Sequence, residues 1–136
     1  MLRANCVEHH VADFDREVTF FRDVLTCPEN MYVADVVAAF KVADNLTVLV
    51  LPRDPGHPEY TDLKGITIDI SVDLSEVDAR YEVLKTKGVA VRQPPVTQPT
   101  GVRTFYFETP GGLTIEYEAA ATKEAADLLN KLFGYT

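Results

Sequence analysis

Two glutamates in the middle of a strand-like run are the most unusual chemistry in this chain. Residues 101–118 read GVRTFYFETPGGLTIEYE. After the turn chemistry of Thr109-Pro110-Gly111-Gly112, Leu113, Ile115 and Tyr117 alternate with Thr114, Glu116 and Glu118, so both carboxylates share a face. Glu is depleted in strands, so two of them on one face need a reason. A solvated face is the ordinary one, and Glu118 fits it. The other is that Glu116 points into a cavity and binds a ligand. Buried carboxylates that crowd one another gain pKa, and can then act as general acids or bases. Asp69 and Asp73 meet that condition if they lie buried near Glu8 or Glu116.

The elements that must position these groups follow from periodicity. Residues 2–12 read as a strand, with Cys6, Glu8 and His10 on one face and Val7, His9 and Val11 on the other. His9 should face the following helix or its edge. Asp13 is a good N-cap for a helix over residues 14–25, and Asp15 and Glu17 suit its positive end. Val18, Phe21, Val24 and Leu25 should face a sheet. Residues 31–40 form a strand bending into the next, and LTVLVL at 46–51 is a further strand. The Pro- and Gly-rich stretch after it, which holds His57, is a linker.

The second half opens on a strand at 66–74, with Thr67, Asp69, Ser71 and Asp73 on one face. Ser75 should cap a helix to about Lys87, with Asp78 in a capping-box position and Gly88 as the stop. A short strand at 89–92 and a Pro-rich loop at 93–100 lead into the closing hairpin. That loop could act as a stiff lid. A terminal helix over 119–133 has Ala126, Leu129 and Phe133 along its apolar stripe, widened by Leu128 and Leu132.

Composition narrows the function classes. At 136 residues the chain is one domain, or two small half-domains sharing a core. A net charge of −8 without basic clusters disfavours nucleic acid as a partner. The longest apolar runs fall short of a membrane span. The opening MLRANCVEHH has no apolar signal core, so a cytoplasmic protein is expected. Two cysteines, Cys6 and Cys27, make no disulfide framework and are expected as reduced thiols.

The order strand, helix, three strands occurs twice. LTVLVL at 46–51 parallels LTIEYE at 113–118, pairing Leu49 with Glu116; CVEHHVAD at 6–13 parallels DISVDLSE at 69–76, pairing Cys6 with Asp69. Two copies of a sheet-forming unit can pair about a pseudo-twofold axis, with their inward faces meeting in a cavity.

With that repeat the chain resembles the vicinal oxygen chelate superfamily of glyoxalases, bleomycin-resistance proteins and extradiol dioxygenases. Three segments carry the resemblance, in order: VADFDREVTFFRDVL with its Phe20-Phe21 pair, SEVDARYEVLKTKGVAV, and QPPVTQPTGVRTFYFETPGGLTIEY. It implies an α+β fold: two βαβββ modules forming a curved, mostly antiparallel sheet around a cavity, plus a C-terminal helix. The modules would span residues 4–51 and 65–118, with a linker at 52–64 and the helix at 119–133. It also implies a homodimer.

In such proteins a divalent metal is held by residues at the positions of Cys6, Leu49, Asp69 and Glu116. Glu116 has the usual residue; Leu49 cannot ligate, and Cys6 and Asp69 stand where His is usual. The implied metal set is Cys6, Asp69 and Glu116, for Mn, Fe, Mg, Zn or Ni, or for none. Asp69 and Glu116 are the implied catalytic pair. Glu8, His10, Ser71, Arg103 and Tyr106 are candidates for substrate binding. Arg103 could grip a substrate carboxylate, or be a strand-edge cation opposite an acidic neighbour. Phe105, Phe107 and Tyr117 are core candidates, and Tyr106 could wall a pocket. Three functions remain open: a metal-dependent lyase or dioxygenase acting on a small oxygenated molecule, a metal-free protein that sequesters an antibiotic or metabolite, and a dimerising scaffold.

Overall fold

The computed structural model describes residues 2, 4–53 and 66–133. His57 and most of the expected linker lie outside the described residues. The chain forms two compact units, one of residues 1–66 with 108–113, the other of residues 67–107 with 114–136.

In the first unit, β1 (Cys6–Val11) is followed by α1 (Phe14–Thr19) and then by β2 (Glu29–Val33), β3 (Val37–Ala43) and β4 (Leu46–Pro52). The sheet order is β1-β4-β3-β2, with β1 parallel to β4 and the other pairs antiparallel. Alternation decides the faces of β1: His9 and Val11 are buried, while Cys6 and Glu8 are exposed. Asp13 caps α1 as expected, its Oδ1 accepting from the Arg16 N–H at 3.1 Å. The helix does not stay α-helical to residue 25. From Phe20 to Val24 it is a π-helix, closed by the Leu25 N–H donating to the Phe20 carbonyl at 3.0 Å. Phe20 and Phe21, though consecutive, are both buried there, and Phe21 stacks on Phe40 at 5.4 Å.

The second unit repeats the plan: β5 (Thr67–Ser71), α2 (Leu74–Thr86), β6 (Val96–Thr97), β7 (Val102–Glu108) and β8 (Thr114–Ala120), then α3 (Lys123–Phe133). Its sheet order, β5-β8-β7-β6 with β5 parallel to β8, mirrors that of the first. The fold is thus α+β, built from two βαβββ modules with mixed four-stranded sheets and a C-terminal helix. The registers refine the repeat. Leu49 pairs with Glu8 in β1/β4, and Glu116 pairs with Asp69 in β5/β8. Aligned through Leu49 and Glu116, the counterpart of Asp69 is therefore Glu8 rather than Cys6.

Several local expectations are corrected. Asp73, not Ser75, is the N-cap of α2, and the Asp78 carboxylate is bound to Arg103 instead of closing a capping box. No strand forms over 89–92. The strand instead lies at Val96–Thr97, inside the expected loop, where two β-branched residues follow Pro94-Pro95 and pair with Thr104 and Arg103. The last helix starts later than residue 119, because β8 runs to Ala120 and the Thr122 hydroxyl then accepts from the Ala125 N–H at 3.1 Å. Ala125 and Leu129 of α3 pack on Val102, while Leu128, Leu132 and Phe133 are exposed. Gly88 ends α2 with φ +80°, as a left-handed stop requires. Cys6 and Cys27 form no disulfide. Among the described residues no helix is long and apolar enough to cross a membrane.

Candidate functional site

In β5 and β8 the apolar members Ile68, Ile70, Ile115 and Tyr117 are buried. Alternation leaves Asp69, Glu116 and Glu118 together on the other face. One carboxylate oxygen from each of the three lies within 4.8 Å of the other two. Two full charges at 4.8 Å repel by about 3 kcal/mol at an effective dielectric of about 20, a repulsion that a proton or a cation would relieve.

The three differ in surroundings. Asp69 is exposed, Glu116 is half-buried, and Glu118 is only 6% exposed, with its Oε1 lacking a hydrogen-bond partner among the described residues. Partial desolvation at the sheet surface pushes the Asp69 pKa up. Burial and then the Asp69 charge raise that of Glu116, with the Thr104 hydroxyl acting against them. That hydroxyl stops short of hydrogen-bond geometry, since Thr104 Oγ1 is buried without a partner among the described residues. Glu118 is pushed up to about 7, first by burial, then by Asp69 and Glu116. An all-oxygen donor set with one buried, unsatisfied oxygen suits a hard divalent cation.

Beside Glu116 lies a pocket of about 140 Å³ whose lining includes Gln93, Val96, Gln98, Thr104 and Tyr106. The expected lid thus forms part of its wall. Tyr106 is exposed, whereas Phe105, Phe107 and Tyr117 are buried in mutual contact at 5.6–6.3 Å. Arg103 is the strand-edge cation of the two readings: Nε and Nη2 donate to Asp78 on α2, each at 2.7 Å, and Nη1 donates to Thr97 at 3.1 Å. Ser71 is exposed and pairs in register with Glu118.

Cys6, Glu8 and His10 belong to the first unit. Cys6 and Glu8 are exposed, and His10 Nε2 lies 3.5 Å from Glu8 Oε2. The same unit holds a polar cluster that periodicity did not reveal. His9 Nε2 is bonded to Glu17 Oε2, and both side chains are fully buried. Thr109 Oγ1 donates to the same Glu17 oxygen at 2.6 Å, and the Gly111 N–H donates to Oε1 at 2.9 Å. A Cβ on Gly111 would collide with the Glu17 carboxylate and come within 2.6 Å of Val11 Cγ1, so glycine is required there. Glu17 is therefore an acceptor for the turn and not a solvated charge at a helix start. Its signal was its place among Phe14, Val18 and Phe21 on the apolar stripe. The signal for Glu118 was its spacing of two from Glu116.

No curated protein matches the chain. Among solved structures, the FosX fosfomycin resistance protein of Listeria monocytogenes superposes with a TM-score of 0.71 at 20% identity, covering 92% of this chain and 98% of that one. A variant of that FosX, complexed with Mn(II) and 1S,2S-dihydroxypropylphosphonic acid, gives 0.70 at 18% identity, covering 95% and 98%. A lactoylglutathione lyase from Agrobacterium tumefaciens gives 0.69 at 17% identity, covering 99% and 98%. At these identities the likeness is one of fold. The family model for the Glyoxalase/Bleomycin resistance protein/Dioxygenase superfamily matches residues 4–117, and the chain belongs to that superfamily.

Proposed function

We propose that this protein is a metal-dependent enzyme of the lyase or dioxygenase type acting on a small oxygenated molecule. The observation that carries the reading is the gathering of Asp69, Glu116 and the buried Glu118 within 4.8 Å. Asp69 and Glu116 would hold a hard divalent ion such as Mn(II) or Mg(II), with Glu118 completing the oxygen set. When bound, such an ion supplies Lewis-acid stabilisation to a substrate oxygen. The protein's own residues do the rest. Thr104 and Tyr106 offer hydroxyls that orient the ligand beside Glu116. Without an ion, Glu118, with its carboxyl at about 7, can hold or release a proton near neutrality; with an ion bound it serves as an oxygen donor. A homodimer in the cytoplasm is part of this proposal, and sedimentation analysis tests the dimer.

The direct test is Mn(II) titration of the purified chain, alongside Asp69→Ala and Glu116→Ala. One ion per chain at micromolar affinity, lost in both variants, is expected. No divalent binding up to millimolar concentrations would end the enzyme reading.

A second reading is a metal-free protein that sequesters a drug or metabolite. It is favoured by the raised carboxyl pKa values, because protons on Glu118 and its neighbours can relieve the repulsion without a cation. Ligand-induced thermal shifts in the presence of a chelator test it.

A further inference from the structure

We infer that the pocket beside Glu116 receives an uncharged or cationic hydroxyl-bearing molecule and turns anions away. The inference rests on the reading of this pocket as the substrate site, and it names the class of substrate. Three observations carry it.

The first is the charge of the lining. Among the described residues that line it, Glu116 is the one charged side chain and there is no lysine or arginine. The nearby candidate, Arg103, is on the neighbouring position of β7 from Thr104 and is already held by both oxygens of Asp78. Carboxylate, phosphate and phosphonate groups are recognised by arginine forks or comparable donors, and desolvating them without such partners is costly. Three carboxylates also outweigh the charge of any single divalent ion they bind, so a loaded site offers an anion no surplus positive charge.

The second is the polar inventory. Gln93 and Gln98 contribute amides, and Thr104 and Tyr106 contribute hydroxyls. These donate and accept, and so match hydroxyl groups or an ammonium beside Glu116. The third is Thr104 itself. It is 5% exposed and lines the pocket, with its Oγ1 near Glu116 but short of hydrogen-bond geometry to it or to any other described residue. A buried hydroxyl left unpaired is destabilising, and a ligand hydroxyl would satisfy it. The volume of about 140 Å³ keeps the ligand small.

The test uses three probes that share a vicinal diol and differ in charge: glycerol, 3-amino-1,2-propanediol and 2,3-dihydroxypropyl phosphate. Ligand-observed NMR titrations are run on the full chain, both Mg(II)-loaded and metal-free. The neutral and cationic probes should bind at least tenfold more tightly than the phosphate in both forms. Phosphate binding equal to or tighter than theirs, or no binding of the first two, overturns the inference. Thr104→Val should weaken glycerol several-fold while leaving the melting temperature unchanged or raised. Unchanged glycerol affinity in that variant also overturns it. The metal-free arm separates the two proposals, because the ranking can be read even if the chain binds no metal.

Discussion

Asp69 on β5 stands opposite Glu116 on β8, as partners in a parallel ladder. The pairing sets two carboxylates side by side on a sheet face, and Glu118, one step further along the same face, closes the group.

The metal-free protein should lose stability as pH rises. The folded Glu118 carboxyl titrates at about 7 against an ordinary value of 4.5, so the folded state keeps this proton more firmly than the unfolded chain does. Its stabilising contribution is full below 4.5 and is lost as pH climbs to about 7. The raised values of Asp69 and Glu116 act in the same direction. Allowing for solvent screening, the loss should be about 1–2 kcal/mol. Denaturation with urea from pH 5 to 8 measures it, and Glu118→Gln should flatten the slope and gain stability at pH 8.

A divalent ion should reverse that loss. Mn(II) or Mg(II) at a hundredfold excess over its dissociation constant should add about 2.7 kcal/mol. The gain should be larger at pH 8 than at pH 5.5, because protons compete for the same oxygens. Thermal melts with and without a chelator give the comparison, and Asp69→Asn should abolish most of the shift.

Glu17 should be far more costly to remove than any surface carboxylate. Glu17→Ala leaves buried His9, Thr109 and the Gly111 N–H without their acceptor, a loss of about 3–5 kcal/mol. Glu17→Gln keeps an acceptor oxygen and should cost only about 1–2 kcal/mol. Gly111→Ala should cost about 1–3 kcal/mol through its clash with Glu17 and Val11. Urea midpoints rank the three.

Arg103→Ala should be mild. Its pair with Asp78 is bidentate but solvent-exposed, so the loss should stay below about 1 kcal/mol. Asp78, which the Arg103 hydrogen bonds hold below the ordinary carboxylate range, should titrate higher in the variant. NMR titration of Asp78 reads this directly.

Much of the fold was legible in local pattern. The apolar run LTVLVL and the alternation in LTIEYE both specified strands, and the alternation also gave the second one its buried face, because successive side chains of a strand must point to opposite sides. The duplicated order of elements specified two like modules, and both sheets share one strand order. Asp13 and Gly88 marked helix ends through capping and left-handed geometry. Local pattern misplaced the strand near Pro94-Pro95 and the start of α3, where backbone pairing overrode propensity.

What the sequence determined by itself, then, is the family, the α+β plan and the presence of Asp69 and Glu116 on polar strand faces. Tertiary structure decided which groups meet. The β5/β8 register joins strands whose paired residues are far apart in sequence, and it turned Glu118 from a solvated side chain into a buried one. Glu17 found Thr109 across 92 residues, and Arg103 was claimed by Asp78 across 25. Local sterics act over a few residues, whereas these contacts form only when the packing of a whole unit outweighs the entropy of ordering it.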